Sequence, residues 1–241
     1  MSWIDNLADK LHTLSKAEFD YVETKNIDEA SKIGLDCSGI YMEASVIYVE
    51  IKNLSYILKQ NGRRKAAQAY TMINQVLSAI AEQTGAFVNC YSSSAFLVVY
   101  PGQDESIKNA VMGALKISSA IGEDFKSLFN AIPGMEFSMG IDHGHIMGTK
   151  NLSDNGIEHI SWFGSCILKA ARISKECARP FYLGVSGAIY HNLGESLRTT
   201  RKRILGIGKN VDIWTKVTYY YDNVKKHLYQ TNHKISLDDQ Q

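Results

Sequence analysis

The sequence predicts an α+β fold of ferredoxin-like β-α-β-β-α-β order, with additional C-terminal elements after it. Three observations carry that prediction: an apolar, β-branched run at 44–51, two closely spaced strand-like segments at 86–101, and long amphipathic segments on either side of that pair.

Taken in order, Trp3, Ile4, Leu7, Leu11 and Leu14 recur at helical spacing. They predict a short amphipathic helix, free to dock on the core or on a partner, with a polar stretch from there to Ser38. Ala44 to Ile51 reads as a buried strand that ends in the polar loop Lys52 to Ser55. A charge at the end of a buried strand is a common functional position. From Arg63 to Glu82, the residues Ala67, Tyr70, Ile73, Leu77 and Ile80 mark one helical face, and Thr84-Gly85 stops the helix. Ala86–Tyr91 and Ser94–Pro101 are separated only by a serine-rich turn, so they form a hairpin. Asp104 to Asn130 predicts a second long helix with Ile107, Val111, Ala114 and Ile117 on its apolar face, and Met135 to His143 a further strand. A polar loop follows at Thr149 to Glu158, then a helix over Gly164 to Ala178. Strands at Phe181–Val185 and Val211–Val217 come next, with a short helix at Ser186–Leu193 between them. One domain over 43–220 results, with a helix and extension at 1–42 and a polar tail at 221–241.

At 241 residues and 45% apolar, the chain holds enough to bury one full core. Its net charge of +1, from 26 basic and 25 acidic residues, supplies no field that favours nucleic acid or an anionic membrane. The apolar runs fall far short of the roughly 20 residues that span a bilayer, and the N-terminus lacks a secretory pattern, so the cytoplasm is the expected compartment. Cys37, Cys90, Cys166 and Cys177 are too scattered for a disulfide framework or a zinc site and read as reduced and structural. His143 and His145 alternate along a strand without a third metal ligand, and the basic run Arg198–Arg203 lacks the aromatic residues of a single-strand nucleic-acid binder.

Four stretches, within 44–217, line up with one family. Val46-Ile-Tyr-Val-Glu-Ile-Lys-Asn-Leu-Ser55 resembles the first strand and phosphate loop of the class III adenylyl and guanylyl cyclase domain. Ser93-Ser-Ala-Phe-Leu-Val-Val-Tyr100 resembles its hairpin and following strand, Gly140-Ile-Asp-His-Gly144 its glycine-flanked strand end, and Trp162-Phe-Gly-Ser-Cys-Ile-Leu-Lys-Ala-Ala-Arg172 its Asn/Arg helix. The Trp-x-Gly and Gly-Ile-Asp-x-Gly patterns, the N-terminal extension and Val185-Ser-Gly-Ala-Ile-Tyr-His-Asn-Leu193 look most like the bacterial anti-phage Pycsar pyrimidine cyclases.

The resemblance implies a head-to-tail dimer with sites shared between chains, and two divalent cations, Mg²⁺ or Mn²⁺, that activate the 3′-oxygen of a nucleoside triphosphate. Of the family's two metal carboxylates, the first falls on Glu50, one methylene longer than the usual Asp, with the backbone carbonyl of Ile51 beside it. The second falls on Ser94, a neutral ligand. Asn53, Leu54 and Ser55 stand in the phosphate loop, with Asn53 where glycine is preferred. The phosphate-stabilising Arg is retained as Arg172, while the ribose-orienting Asn is Leu168. The base-reading pair maps to Cys90 and Ser161, with Tyr91 placed to stack on a base, and Lys209 lies near the family's triphosphate Lys, whose strict position is Leu205.

Each residue also has a plainer reading: Glu50 as a solvated strand-end carboxylate, Ser92 to Ser94 as a polar turn, Arg172 as a surface ion-pair residue. Three functions therefore stand side by side. The first is a pseudo-cyclase or regulatory half, as a homodimer or beside a complete cyclase, since losing a metal carboxylate and the ribose Asn together removes much of the transition-state stabilisation. The second is an active, divergent cyclase making cUMP or cCMP for a cyclic-nucleotide effector pathway. The third is a ferredoxin-like interaction module that binds no nucleotide.

Overall fold

The computed structural model describes residues 2–24, 38–152, 158–180, 182–204, 207–221 and 223–237. Helix α1 (Trp3–Lys16) and strand β1 (Asp20–Glu23) precede β2 (Ser38–Ile51), which is followed by helix α2 (Leu54–Thr84), strands β3 (Phe87–Ser92) and β4 (Ala95–Pro101), and helix α3 (Asp104–Ser119). A π-helical turn (Ala120–Asp124) and α4 (Lys126–Asn130) lead to β5 (Phe137–Leu152), β6 (Glu158–Phe163) and α5 (Ser165–Glu176). The chain ends with β7 (Leu183–Ser186), α6 (Gly187–Asn192), α7 (Glu195–Arg198), β8 (Thr199–Ile204), β9 (Ile207–Asp212), β10 (Thr215–Tyr221) and β11 (Val224–Thr231).

The main sheet runs β10-β11-β7-β5-β2-β4-β3, with β1 added to β2 and β6 to β5; β8 and β9 form a separate ribbon. Within it, β5-β2-β4-β3 is the antiparallel strand order of a ferredoxin-like unit, as the sequence predicts. The central strand β2 is buried on both faces, which is why it reads as an unbroken apolar run. Ile47, Val49 and Ile51 face a core shared with α2 and α3, whereas Ile40, Met42, Ala44 and Val46 face a second core closed by Trp162 of β6 and by Cys166, Ile167 and Ala170 of α5. Helix α5 sits directly on β5: a Cβ added at Gly140 would come within 2.0 Å of the Ala170 carbonyl oxygen.

Several boundaries differ from expectation. Strand β2 starts at Ser38, and β1 occupies part of the stretch expected to be polar and irregular. The first long helix begins at Leu54, but Gly62 breaks it with φ 78°, so the periodicity expected from Arg63 belongs to its second segment. The continuous helix expected over 104–130 is divided by the π-helical turn. The segment expected as one strand at 211–217 is two strands, separated where Trp214 is buried and its indole donates to the Leu197 carbonyl. Residues 221–241, expected as a polar tail, supply β11, which pairs with β7 and buries Leu228 to Thr231. Helix α1 forms as expected, with a Ser2–Asp5 capping box, but buries none of its residues.

Candidate functional site

The site is built at the C-terminal end of β2. Strand alternation puts Tyr48 and Glu50 on the α5 face of the sheet, the face where Tyr48 packs against the second core. Glu50 stands between Ala95 of β4 and Ser138 of β5. Its Oε2 is buried with no hydrogen-bond partner. Tyr48 and Tyr91 meet edge to face at 5.6 Å, and burial first, then the charges of Glu50 and Tyr91, hold the Tyr48 hydroxyl above its ordinary pKa.

The hairpin turn lies beside this carboxylate, because the Ile51 amide donates to the Ser94 carbonyl at 2.8 Å. Glu50, Ile51 and Ser94 are therefore neighbours along the backbone, yet only one of them carries negative charge. Ser138 instead bonds Ser174 of α5 at 2.9 Å, and Glu136, two residues back from Ser138, pairs with Arg179 at 2.9 Å. Among the described residues there is no cluster of three His, Cys, Asp or Glu able to hold a metal. One carboxylate and a carbonyl do not fit a two-cation centre, which concentrates charge from at least two acidic ligands.

The phosphate-loop residues divide their roles. The Asn53 side chain caps nothing on α2; its Nδ2 donates to the Gly134 carbonyl and its Oδ1 accepts from the Glu136 amide at 3.0 Å. Asn53 is thus a pin between β2 and the turn before β5. The first-turn amides of Leu54 and Ser55 receive no side-chain cap, and uncapped amides at a helix start favour an anion. Lys52 ties the same loop to α5, donating to the Lys175 carbonyl at 2.9 Å.

The expected base-reading pair is not brought together. Cys90 lies opposite Phe96 on the α2 face, where its thiol bonds the Tyr70 hydroxyl and, after burial, helps push that hydroxyl's pKa up. Ser161 lies opposite Thr149, and since its neighbours Ile160 and Trp162 pack inward, alternation turns Ser161 away from the sheet. Asn89, not singled out from sequence, occupies the α5 face and donates to the Ile160 carbonyl at 2.9 Å.

Arg172 is committed within its own chain. It pairs with Glu176 at 2.8 Å and donates to the Tyr220 carbonyl at 3.4 Å. Tyr220 is on β10, four strand positions from β2 in the sheet order, so the Arg172 guanidinium is held toward the far edge of the sheet and not at Glu50. On the same outer surface of α5, Leu168 is 60% exposed, and Phe163 at the end of β6 is 55% exposed. Lys209 is exposed on the separate ribbon opposite Lys202, and Leu205 lies outside the described residues. Cys90, Cys166 and Cys177 are free thiols, while Cys37 is outside the described residues. His143 bonds Ser45 and Glu43, and His145 stacks on Tyr41 at 5.2 Å. Among the described residues, no helix is long and apolar enough to cross a membrane.

No protein-family model and no curated protein matches the sequence. Solved structures do match in fold. A guanylyl cyclase superposes with a TM-score of 0.64 at 11% identity, over 83% of this chain and 96% of its own. An adenylyl cyclase from P. aeruginosa gives 0.60 at 12% identity, over 83% and 98%. A class III adenylyl cyclase-like ATP-binding protein from Pseudomonas aeruginosa gives 0.62 at 11%, over 79% of this chain and 43% of its own. The chain therefore has the fold of adenylyl and guanylyl cyclase catalytic domains.

Proposed function

We propose that this chain is a class III nucleotidyl-cyclase-like protein that binds a nucleoside triphosphate without efficiently cyclising it, and that it acts as a pseudo-cyclase or regulatory half in the cytoplasm. The observation that carries the reading is the single carboxylate at the strand end: the Glu50 Oε2 is buried there without a partner, and Ser94, to which the resemblance assigns its acidic partner, is neutral. A pair of Mg²⁺ or Mn²⁺ ions activates the 3′-oxygen and neutralises the phosphates in cyclisation. The donors here do not fit that pair, and no cyclisation step is assigned to a homodimer.

Binding has support of its own. The open amides of Leu54 and Ser55 suit phosphate, the exposed ring of Tyr91 suits a base, and one fold neighbour is described as ATP-binding. The separation of Arg172 from Glu50 favours a head-to-tail pair, in which the Arg172 of one chain serves the Glu50 of the other. A complete cyclase subunit would fit the same place and supply the missing carboxylate.

The motif resemblance to anti-phage pyrimidine cyclases supports a second reading, an active enzyme making cUMP or cCMP for an effector. The unpartnered Oε2 of Glu50 favours it, since a carboxylate oxygen held without a donor is available to a cation.

The deciding experiment incubates the purified protein with ATP, GTP, CTP and UTP plus Mn²⁺, resolves products by mass spectrometry, and measures nucleotide binding in parallel. Binding without a cyclic product is the expected result. A cyclic nucleotide that disappears in Glu50→Ala would establish the active enzyme instead, and absence of any binding would leave the interaction module.

A further inference from the structure

We propose that the cleft under the π-helical turn binds a small organic anion with a flat apolar body. The cleft has a volume of about 470 Å³ and lies between the π-helical turn, α4, the 132–137 segment and the residues just before β7. That volume falls in the usual range for small-molecule sites. Its inner wall is apolar and rigid: Phe129, Ile132 and Phe137 are each at least 94% buried, and Phe137 stacks on Tyr182 at 5.4 Å with 13° between the rings. An aromatic or flat aliphatic body would continue that stack.

Three cations surround the opening: Lys126, Arg179 and Lys234. Lys234 pairs with Glu123 at 3.2 Å and Arg179 with Glu136 at 2.9 Å, the latter between side chains 66% and 38% exposed. Exposed pairs of this kind hold weakly, and a guanidinium retains further N–H donors for a second anion. Lys126 makes no ion pair with a described residue. At the inner end the cleft is lined by Ser118, a polar residue only 4% exposed.

The Lys234 ammonium lies close over the π-helical turn: a Cβ at Gly122 would come within 2.8 Å of its Nζ, which the flexible side chain could relieve by swinging aside. π-Helical turns concentrate at functional positions because they cost helix stability. The site is separate from the nucleotide groove and lies near it: the Lys52 amide donates to the Glu136 carbonyl at 2.9 Å, and the Glu136 amide donates to Asn53. An anion that draws Arg179 away from Glu136 would act on the segment that pins the end of β2.

The test uses anilinonaphthalene sulfonate, a flat apolar anion whose fluorescence rises on binding, titrated into the full native chain. One saturable site is expected. Lys126→Gln combined with Arg179→Gln should weaken it about tenfold, the loss of a charge-assisted contact, without changing the melting temperature, because both side chains are exposed. Tyr91→Ala, in the nucleotide groove, should leave the dye affinity unchanged. Loss of dye binding in Tyr91→Ala, no effect of the double variant, or no saturable binding would each overturn the assignment, whatever the outcome for nucleotides.

Discussion

The Ile51 amide donates to the Ser94 carbonyl at 2.8 Å, so the hairpin turn is held against the end of β2, next to the strand position of Glu50. The proposed cation site thus has a main-chain frame and one carboxylate, that of Glu50. What the site lacks is a side-chain group on a rigid frame.

That relationship makes Ser94→Asp a gain-of-function substitution. Asp is hardly larger than Ser, the position is only partly buried, and the main-chain bond to Ile51 does not depend on the side chain. A second carboxylate at the turn should raise Mn²⁺ affinity at least about tenfold, worth ~1.4 kcal/mol. Titration calorimetry with Mn²⁺ reads this directly. Combination with Leu168→Asn, which returns a ribose-orienting amide to the outer surface of α5, should bring cyclic product above background. Unchanged Mn²⁺ affinity in Ser94→Asp would mean that Glu50 and the turn do not form one cation site.

The buried carboxyl of Asp142 sets a pH dependence of opposite sign to the usual acidic group. Asp142 is 3% exposed under α5, its Oδ2 has no hydrogen-bond partner, and the Lys169 ammonium stays 3.8 Å away. Burial raises its pKa above the ordinary 3.8, against the smaller opposing effects of Ser186, Lys169 and His143. The folded protein therefore keeps this proton to higher pH than the unfolded chain does. Its stabilising contribution is complete below pH 3.8 and is lost as pH rises through the folded value. Glu43 acts the other way: the His143 bond lowers its pKa, so its contribution is present above 4.5 and is lost as pH falls through the folded value. Asp142→Asn should accordingly melt higher than the parent at pH 7, with the gap closing toward acid. Thermal melts across pH would refute this if the variant were less stable at neutral pH, or if the gap did not change with pH.

How much of this was readable from sequence depended on whether each local pattern had one cause. The run 44–51 is apolar because both faces of β2 are covered, and it was legible at once. Its earlier half was not, because Ile40 and Met42 are buried beneath α5 and β6 while Tyr41 and Glu43 stay partly exposed, which mixes polar with apolar residues. Strand β11 was hidden for a similar reason: its first four residues are exposed and its last four buried, so its average composition resembles a tail. The π-helical turn leaves no signal in periodicity, whereas the break at Gly62 falls just before Arg63, where the helical face read from sequence begins. At the site, the pairing of Glu50 with the serine turn followed from the hairpin, whereas the facing of Cys90 did not. Regular alternation along β3 puts Phe87, Asn89 and Tyr91 on the α5 face and Cys90 on the other, and the register shift comes only after Cys90.

The division of labour between chains can be tested on Arg172. In one chain its guanidinium is held by Glu176 and the Tyr220 carbonyl, and its side chain is 41% exposed, so these bonds add little to stability. Arg172→Ala should change unfolding free energy by no more than ~0.5 kcal/mol, while weakening nucleotide binding about tenfold, the usual cost of a hydrogen bond to a charged group. If the site is shared, Arg172→Ala and Glu50→Ala chains that each bind poorly should recover binding when refolded together. In a two-fold dimer, half of the random pairs are mixed and each mixed pair holds one intact site, so about one site in four should return. Recovery near that level in a calorimetric titration would place Arg172 and Glu50 in one site made by two chains. No recovery, or a loss of stability in Arg172→Ala larger than its loss of affinity, would make Arg172 a structural ion-pair residue, held by Glu176 and the Tyr220 carbonyl of its own chain.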